Sequence, residues 1–233
     1  MSFPVISFCY SVVKAILYCK LFCRRTFAAY KRRHFVGCCY KAEGLLFYFS
    51  YTFGNTDGRI DWCYLRKPDL NNYELSKDKY ILKGTELTLD DVDSPTFMAL
   101  RQRDFNMTLT TDVKIDCGYA GVTMYMCEDE HYDLFIRKKE DCYEAVLKLN
   151  IGGIKHEQAV IPLDTDKVTF KVIANNYSYS FFVVKNGKEI NLGYGNTKYL
   201  TSEVSGGFTG TMTAIFAVGN NTAEFTDFEC RYN

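Results

Sequence analysis

The sequence predicts an all-β domain, a sandwich or a barrel, behind an N-terminal stretch of different character. Three observations lead there. From about residue 61 on, short apolar or alternating runs follow one another at close spacing, with no helical period between them. Turn residues punctuate these runs. Aromatic side chains make up 16% of the 233 residues, with 18 Tyr and 18 Phe, and flat rings suit pleated faces.

The runs are read in order. Glu86–Leu89 is a short one. Met107–Ile115 (MTLTTDVKI) alternates, as a strand with one buried face must. Ala120–Met126 and Tyr132–Arg137 flank the acidic turn Glu128-Asp129-Glu130. Glu144–Ile151 leads into Gly152-Gly153, a turn signal. Gln158–Leu163, Val168–Ala174 and Tyr177–Lys185 follow. Asn186-Gly187 is the strongest hairpin signal in the chain, because both residues tolerate positive φ. Gly210–Val218 and Ala223–Cys230 complete the set. Tight turns between so many strands give a sandwich or a barrel.

Residues 1–60 read differently from residues 61–233. They hold nine basic and two acidic side chains, against 19 basic and 26 acidic in the remainder, so a formal charge of zero hides +7 and −7. Phe3–Cys23 is apolar, followed by Arg24-Arg25 and Lys31-Arg32-Arg33. It fits a signal anchor, an amphipathic basic helix, or a truncated or frame-shifted remnant that is no folded domain. Lys14 and Lys20 make it a poor membrane span. A membrane partner is therefore not expected, and the acidic remainder argues against nucleic acid. Five of the ten cysteines lie in the first 40 residues, and none forms a CxxC or zinc pattern. Cys117, Cys127 and Cys142 read as reduced, buried thiols, which favours the cytoplasm.

Few constellations carry chemistry. Glu128, Asp129, Glu130 and Asp133 read as a solvated hairpin tip, with a calcium site as the alternative, and no metal site or cofactor is expected. His131 and Asp133 share a face by alternation, either to contact a sugar hydroxyl or as a surface pair. Gly206-Gly207-Phe208-Thr209-Gly210 lacks the Lys and helix of a phosphate loop. It reads as a tight loop presenting one ring, Phe208, to a sugar face or to the end of the sandwich.

Several stretches then resemble the C-terminal domain of glycoside hydrolase family 43 β-xylosidases. They are Leu65-Arg66-Lys67-Pro68, the run from Ser94-Pro95-Thr96-Phe97 to Arg101-Gln102-Arg103, Gly121–Met126 with His131-Tyr132-Asp133, and Tyr199 to Gly210. The last runs on through Thr211–Asn220 to Phe225-Thr226-Asp227-Phe228. The resemblance covers roughly Trp62 to Phe228.

This resemblance implies a concanavalin A-like jelly roll of two antiparallel sheets, packed in the family against a five-bladed propeller. The propeller bears the catalytic Asp, Asp and Glu and hydrolyses xylosides. None of those three carboxylates maps onto this chain. The resemblance therefore implies an accessory, carbohydrate-binding-like domain of a xylan-degrading enzyme, without turnover of its own. Its implied site residues are Phe208, Arg101, Gln102 and His131, with Arg103 and Phe105 alongside. The expected partners are a xylan-derived oligosaccharide or the propeller, and an exposed docking face would also let two copies pair. The alternative is a glycosidase acting on xylosides, alone or with a separately encoded catalytic domain, with Glu128, Asp133 or Glu203 paired across a groove.

Overall fold

A computed structural model of the protein describes residues 49–57, 60–206 and 209–232. The anchor, helix or remnant expected over residues 3–23, and the ring of Phe208, lie outside the described residues. Among the described residues no helix is long and apolar enough to cross a membrane.

Among the described residues fourteen strands form two antiparallel sheets. They are β1 (Phe49–Thr52), β2 (Tyr73–Leu75), β3 (Lys79–Lys83), β4 (Thr96–Arg101), β5 (Met107–Ile115), β6 (Tyr119–Cys127) and β7 (Glu130–Lys139). Then come β8 (Cys142–Ile151), β9 (Ile154–Leu163), β10 (Lys167–Ala174), β11 (Ser178–Lys185), β12 (Lys188–Asn196), β13 (Met212–Val218) and β14 (Thr222–Tyr232). The eight-stranded sheet runs β12-β11-β10-β5-β14-β3-β2, with β1 beside the far half of β14. The six-stranded sheet runs β4-β13-β6-β7-β8-β9. The two-sheet sandwich is the expected fold, and it takes in β1, upstream of the boundary expected at residue 61.

The core lies where period-2 faces meet. Leu109, Val113, Phe170, Val172 and Phe181 of the larger sheet pack with Met98, Val122, Leu134 and Ile215 of the smaller one, all buried. In β14 the buried positions are Ala223 and Phe225, then Phe228, Cys230 and Tyr232. The parity switches at a bulge, where the β14–β5 register slips between Thr226 and Glu229 and Asp227 takes φ 51°. Without the extra residue, everything after it would face the wrong side. Ahead of the sheets, Phe53 stacks on Tyr80 at 3.9 Å and on Phe228 at 4.9 Å, with Trp62 against both partners.

The six-stranded sheet is apolar on its outer face as well. Phe97, Tyr125, Phe135, Met212, Phe216 and Val218 form a second buried cluster there. Two segments roof it. Cys63 pairs with Ala99 on the edge strand β4, donating at 2.7 Å and accepting at 2.8 Å. A strap over residues 84–95 inserts Leu89.

The run Glu86–Leu89 is thus no strand. Thr85 makes a single bridge to Val218, and a turn follows in which Asp91 accepts from the Thr88 amide and hydroxyl at 2.7 and 2.8 Å. Asn186-Gly187 turns as expected, at φ 53° and 73°. Of the thiols read as buried, Cys142 is exposed at the β7–β8 turn and Cys117 and Cys127 are half-buried; Cys230 is the buried one. All five thiols among the described residues are unpaired.

Gly121 allows β6 to lie flat between its neighbours. A Cβ there would sit 2.1 Å from the Leu134 carbonyl oxygen and 2.5 Å from Phe135 Cα. Gly121→Ala is expected to cost about 3 kcal/mol in urea unfolding, because backbone, not a flexible side chain, is in the way.

Candidate functional site

One end of the sandwich gathers the loop residues. Leu200 is buried, and its carbonyl accepts from Thr211 Oγ1 at 2.7 Å, which closes the base of a loop over residues 201–210. A helical turn, Ser202–Ser205, ends at Gly206 with φ 70°, and the Gly206 amide returns to the Ser202 carbonyl at 3.0 Å. The other limb is tied to the end of β4. The Arg101 guanidinium donates to the Thr209 carbonyl, and the Gln102 amide donates to the Thr211 carbonyl at 3.1 Å.

The Gln102 backbone makes this anchor, and its side chain is engaged elsewhere. Its Oε1 accepts from Tyr179 at 2.7 Å and its Nε2 donates to the Asp104 carbonyl at 2.9 Å. Arg103 lies over the Tyr51 ring, 5.2 Å from its centroid. Phe105 is 61% exposed, and Tyr177, in the turn between β10 and β11, is 80% exposed. The register brings β1 to the same end, because Phe49 pairs with Tyr232 and Tyr232 with Met107.

His131 shares a face with Arg101. The cross-strand row Arg101, Met212, Tyr125, His131, Asn150, Lys155 runs over the outer face of the six-stranded sheet. Three strand spacings, about 14 Å, separate the two residues. Arg101 is wet, whereas His131 is wholly buried beneath the strap. His131 Nδ1 meets Asp133 Oδ1 at 2.8 Å and Nε2 meets Asp90 Oδ1 at 3.0 Å, with the Tyr125 ring stacked alongside at 5.7 Å. Neither ring nitrogen is left for a sugar, and the His131–Asp133 pair is not on the surface. The sequence reading missed Asp90, Lys148 and Asn150, because nothing local ties Asp90 to a strand some 40 residues on.

The electrostatics are those of a buried ion cluster. Burial pushes the His131 pKa down, but the Asp133 charge and the bonds to Asp133 and Asp90 outweigh it and hold it up at about 9. Burial likewise pushes Asp90 and Asp133 up. His131, with Lys155 and Lys148 on Asp90 and Lys148 on Asp133, overrides this and keeps both carboxyls below their ordinary range. Lys148 Nζ bridges them, 3.3 Å from Asp90 and 3.5 Å from Asp133. The acids of the expected hairpin tip do not converge. Glu130 and Asp133 lie on opposite faces of β7, Glu130 accepts from Cys127 at 2.7 Å, and Glu128 pairs with Arg66 at 3.5 Å.

A pH dependence follows from His131. Its folded pKa lies above its unfolded value of 6.5, so its stabilisation is complete below pH 6.5 and is lost as pH rises through about 9. Urea titrations are expected to show about 3 kcal/mol less stability at pH 9 than at pH 6.5. His131→Asn is expected to flatten that slope. A wild-type profile level across this range would show that His131 is not held as an imidazolium.

Comparison with known proteins fits this architecture. The family model described as the β-xylosidase C-terminal concanavalin A-like domain matches residues 50–231. The chain is 29% identical over 185 residues to the non-reducing end α-L-arabinofuranosidase BoGH43B of Bacteroides ovatus, covering 73% of this chain and 35% of that protein. The solved structure of GH43B from the Bacteroides ovatus xyloglucan PUL superposes with a TM-score of 0.70 at 26% identity, covering 78% of this chain and 38% of that one. The xylan β-1,4-xylosidase of Bacillus halodurans C-125 shares the fold, with a TM-score of 0.70 at 19% identity over 79% of this chain and 39% of that one. The chain spans about a third of the length of the curated relatives it matches. In family 43 glycosidases this C-terminal domain sits with a propeller catalytic domain. Matched over residues 50–231, the chain belongs to the β-xylosidase C-terminal concanavalin A-like domain family.

Proposed function

We propose that the sandwich serves as the accessory module of a family 43 xylan-degrading glycosidase. It docks a catalytic propeller by the end that carries Arg101, Gln102 and the 201–210 loop, and performs no hydrolysis itself. The observation that carries this reading is the construction of that end. The loop is fastened at both limbs, by Thr211 to Leu200 and by Arg101 to Thr209. The exposed rings of Phe105 and Tyr177 stand at the same end, where β1 enters the sheet. Phe208, as the resemblance implies, supplies the ring that this loop lends to a sugar pocket. Gln102 acts by positioning the loop. The five unpaired thiols support a reducing compartment.

The alternative, a self-sufficient glycosidase, needs two carboxylates facing a sugar across a groove. Of its three candidates, Asp133 is buried under the strap and engaged by His131 and Lys148, and Glu128 is paired with Arg66. That leaves Glu203 on the loop without either as a facing partner, which favours the accessory reading.

The test uses the full chain with xylobiose, xylotetraose and an aryl xyloside. Expected are no release of aryl alcohol and oligosaccharide binding on the order of 1 mM or weaker by calorimetry, lost in Phe208→Ala. Turnover of the aryl xyloside would overturn the accessory reading. Sub-micromolar oligosaccharide binding that survives Phe208→Ala would overturn the role of the loop.

A further inference from the structure

Beneath the strap lies a feature that the accessory role does not use. Three neighbouring strands, β7, β8 and β9, each send donors to one point, and the carboxylate of Asp90 occupies it. The donors divide evenly between its oxygens. Oδ1 receives His131 Nε2 and Asn150 Nδ2, both at 3.0 Å. Oδ2 receives Lys155 Nζ at 3.0 Å and Lys148 Nζ at 3.3 Å. His131 and Asn150 are wholly buried.

The Asn150 amide adds an uncharged donor to the cradle. Its Nδ2 faces Asp90 and the Glu128 carbonyl, at 3.0 and 2.9 Å, while its Oδ1 has no hydrogen-bond partner among the described residues. One N–H of the side chain is thus aimed at the anion and the other at a backbone carbonyl, and Nδ2 also lies 3.1 Å from His131 Nε2. The charges agree. Apart from Asp90 the cradle holds His131, Lys148 and Lys155 against Asp133 alone, because Glu128 turns its carboxylate to Arg66 and Asp91 turns its own to Thr88. Two donors on each of two coplanar oxygens is a pattern that a carboxylate fills and that a halide or a single hydroxyl does not.

We propose that the outer face of β7–β9 is a carboxylate-binding site, which Asp90 of the strap fills in cis and which a small carboxylate, free or on a sugar acid, fills in trans once Asp90 is withdrawn. Asp90 is held in place by a strap anchored through Leu89 and the Thr85–Val218 bridge, so a free carboxylate does not compete with it in the intact chain. The strap is the plug of this site.

The experiment is thermal unfolding of the full chain and of Asp90→Gly at neutral pH, titrated with sodium acetate and sodium glucuronate up to about 100 mM. Sodium chloride at equal ionic strength and xylose serve as controls. Asp90→Gly is expected to melt below the wild type and to recover along a saturating curve with acetate or glucuronate. Chloride and xylose are expected to leave it unmoved, and the wild type is expected not to respond to the carboxylates. Adding His131→Asn to Asp90→Gly is expected to weaken the recovery at least about tenfold, since one donor to Oδ1 changes. Chloride acting as well as acetate, or no recovery at all, would reduce the cluster to a plain latch and overturn the proposal. Should Asp90→Gly fold only when prepared in acetate, the proposal stands; unfolded with and without acetate, it falls.

Discussion

The architecture depends on one constraint: across β4, β13 and β6 the six-stranded sheet is apolar on both faces. Antiparallel sheets commonly keep one face wet and alternate accordingly. Here β4, β6 and β13 are buried along almost their whole length, so the outer face needs a cover as much as the inner one does. The larger sheet covers the inside. The outside is covered by chain that would otherwise be loop: the segment that bridges Cys63 to Ala99, and the strap that inserts Leu89. The aromatic stack of Phe53, Tyr80, Trp62 and Phe228 fixes the first of these segments at its base.

Covering that face traps polar groups. His131, Asp133 and Asn150 sit in the covered region, and a lone buried ion there would be strongly destabilising. Asp90 arrives with the strap and completes the cluster, so that apolar and ionic contacts fasten one segment together. The same cross-strand row passes from this dry cluster to Arg101 in water, where the job is different: the guanidinium secures the limb of a loop. One strand register thus runs from a closed, buried centre to an open end of the sandwich.

The sequence made the sheet strands legible wherever one face is wet. Met107–Ile115 alternates and matches β5 to the residue, and Asn186-Gly187 placed its turn. Of those without that contrast, the apolar runs of β6, β7 and β13 showed and β4 did not. In β12 the buried positions are Leu192 and Gly195, and a bulge with Gly193 at φ 142° breaks the alternation. β2 and β3 are too short to show a period, and β1 lies in a stretch whose composition pointed elsewhere. The candidate site divides in the same way. Arg101 and Gln102 could be found because they adjoin the loop through a resemblance of local sequence. The environment of His131 could not be found, because burial here is imposed by the strap, and the contact between residues 90 and 131 exists only once the strap lies over the six-stranded sheet.

The pairing of β1 with β14 sets the order in which this molecule can assemble. Phe49 lies opposite Tyr232, so the first described strand waits for nearly the whole domain to leave the ribosome before its partner exists. β14 also lies between β5 and β3, so the larger sheet stays split until that same strand arrives. Contacts this distant in sequence make folding slow and leave strand edges open meanwhile. Until β14 is available, β5 and β3 each present an unpaired edge, and that is the stage at which a chain of this topology is most open to aggregation.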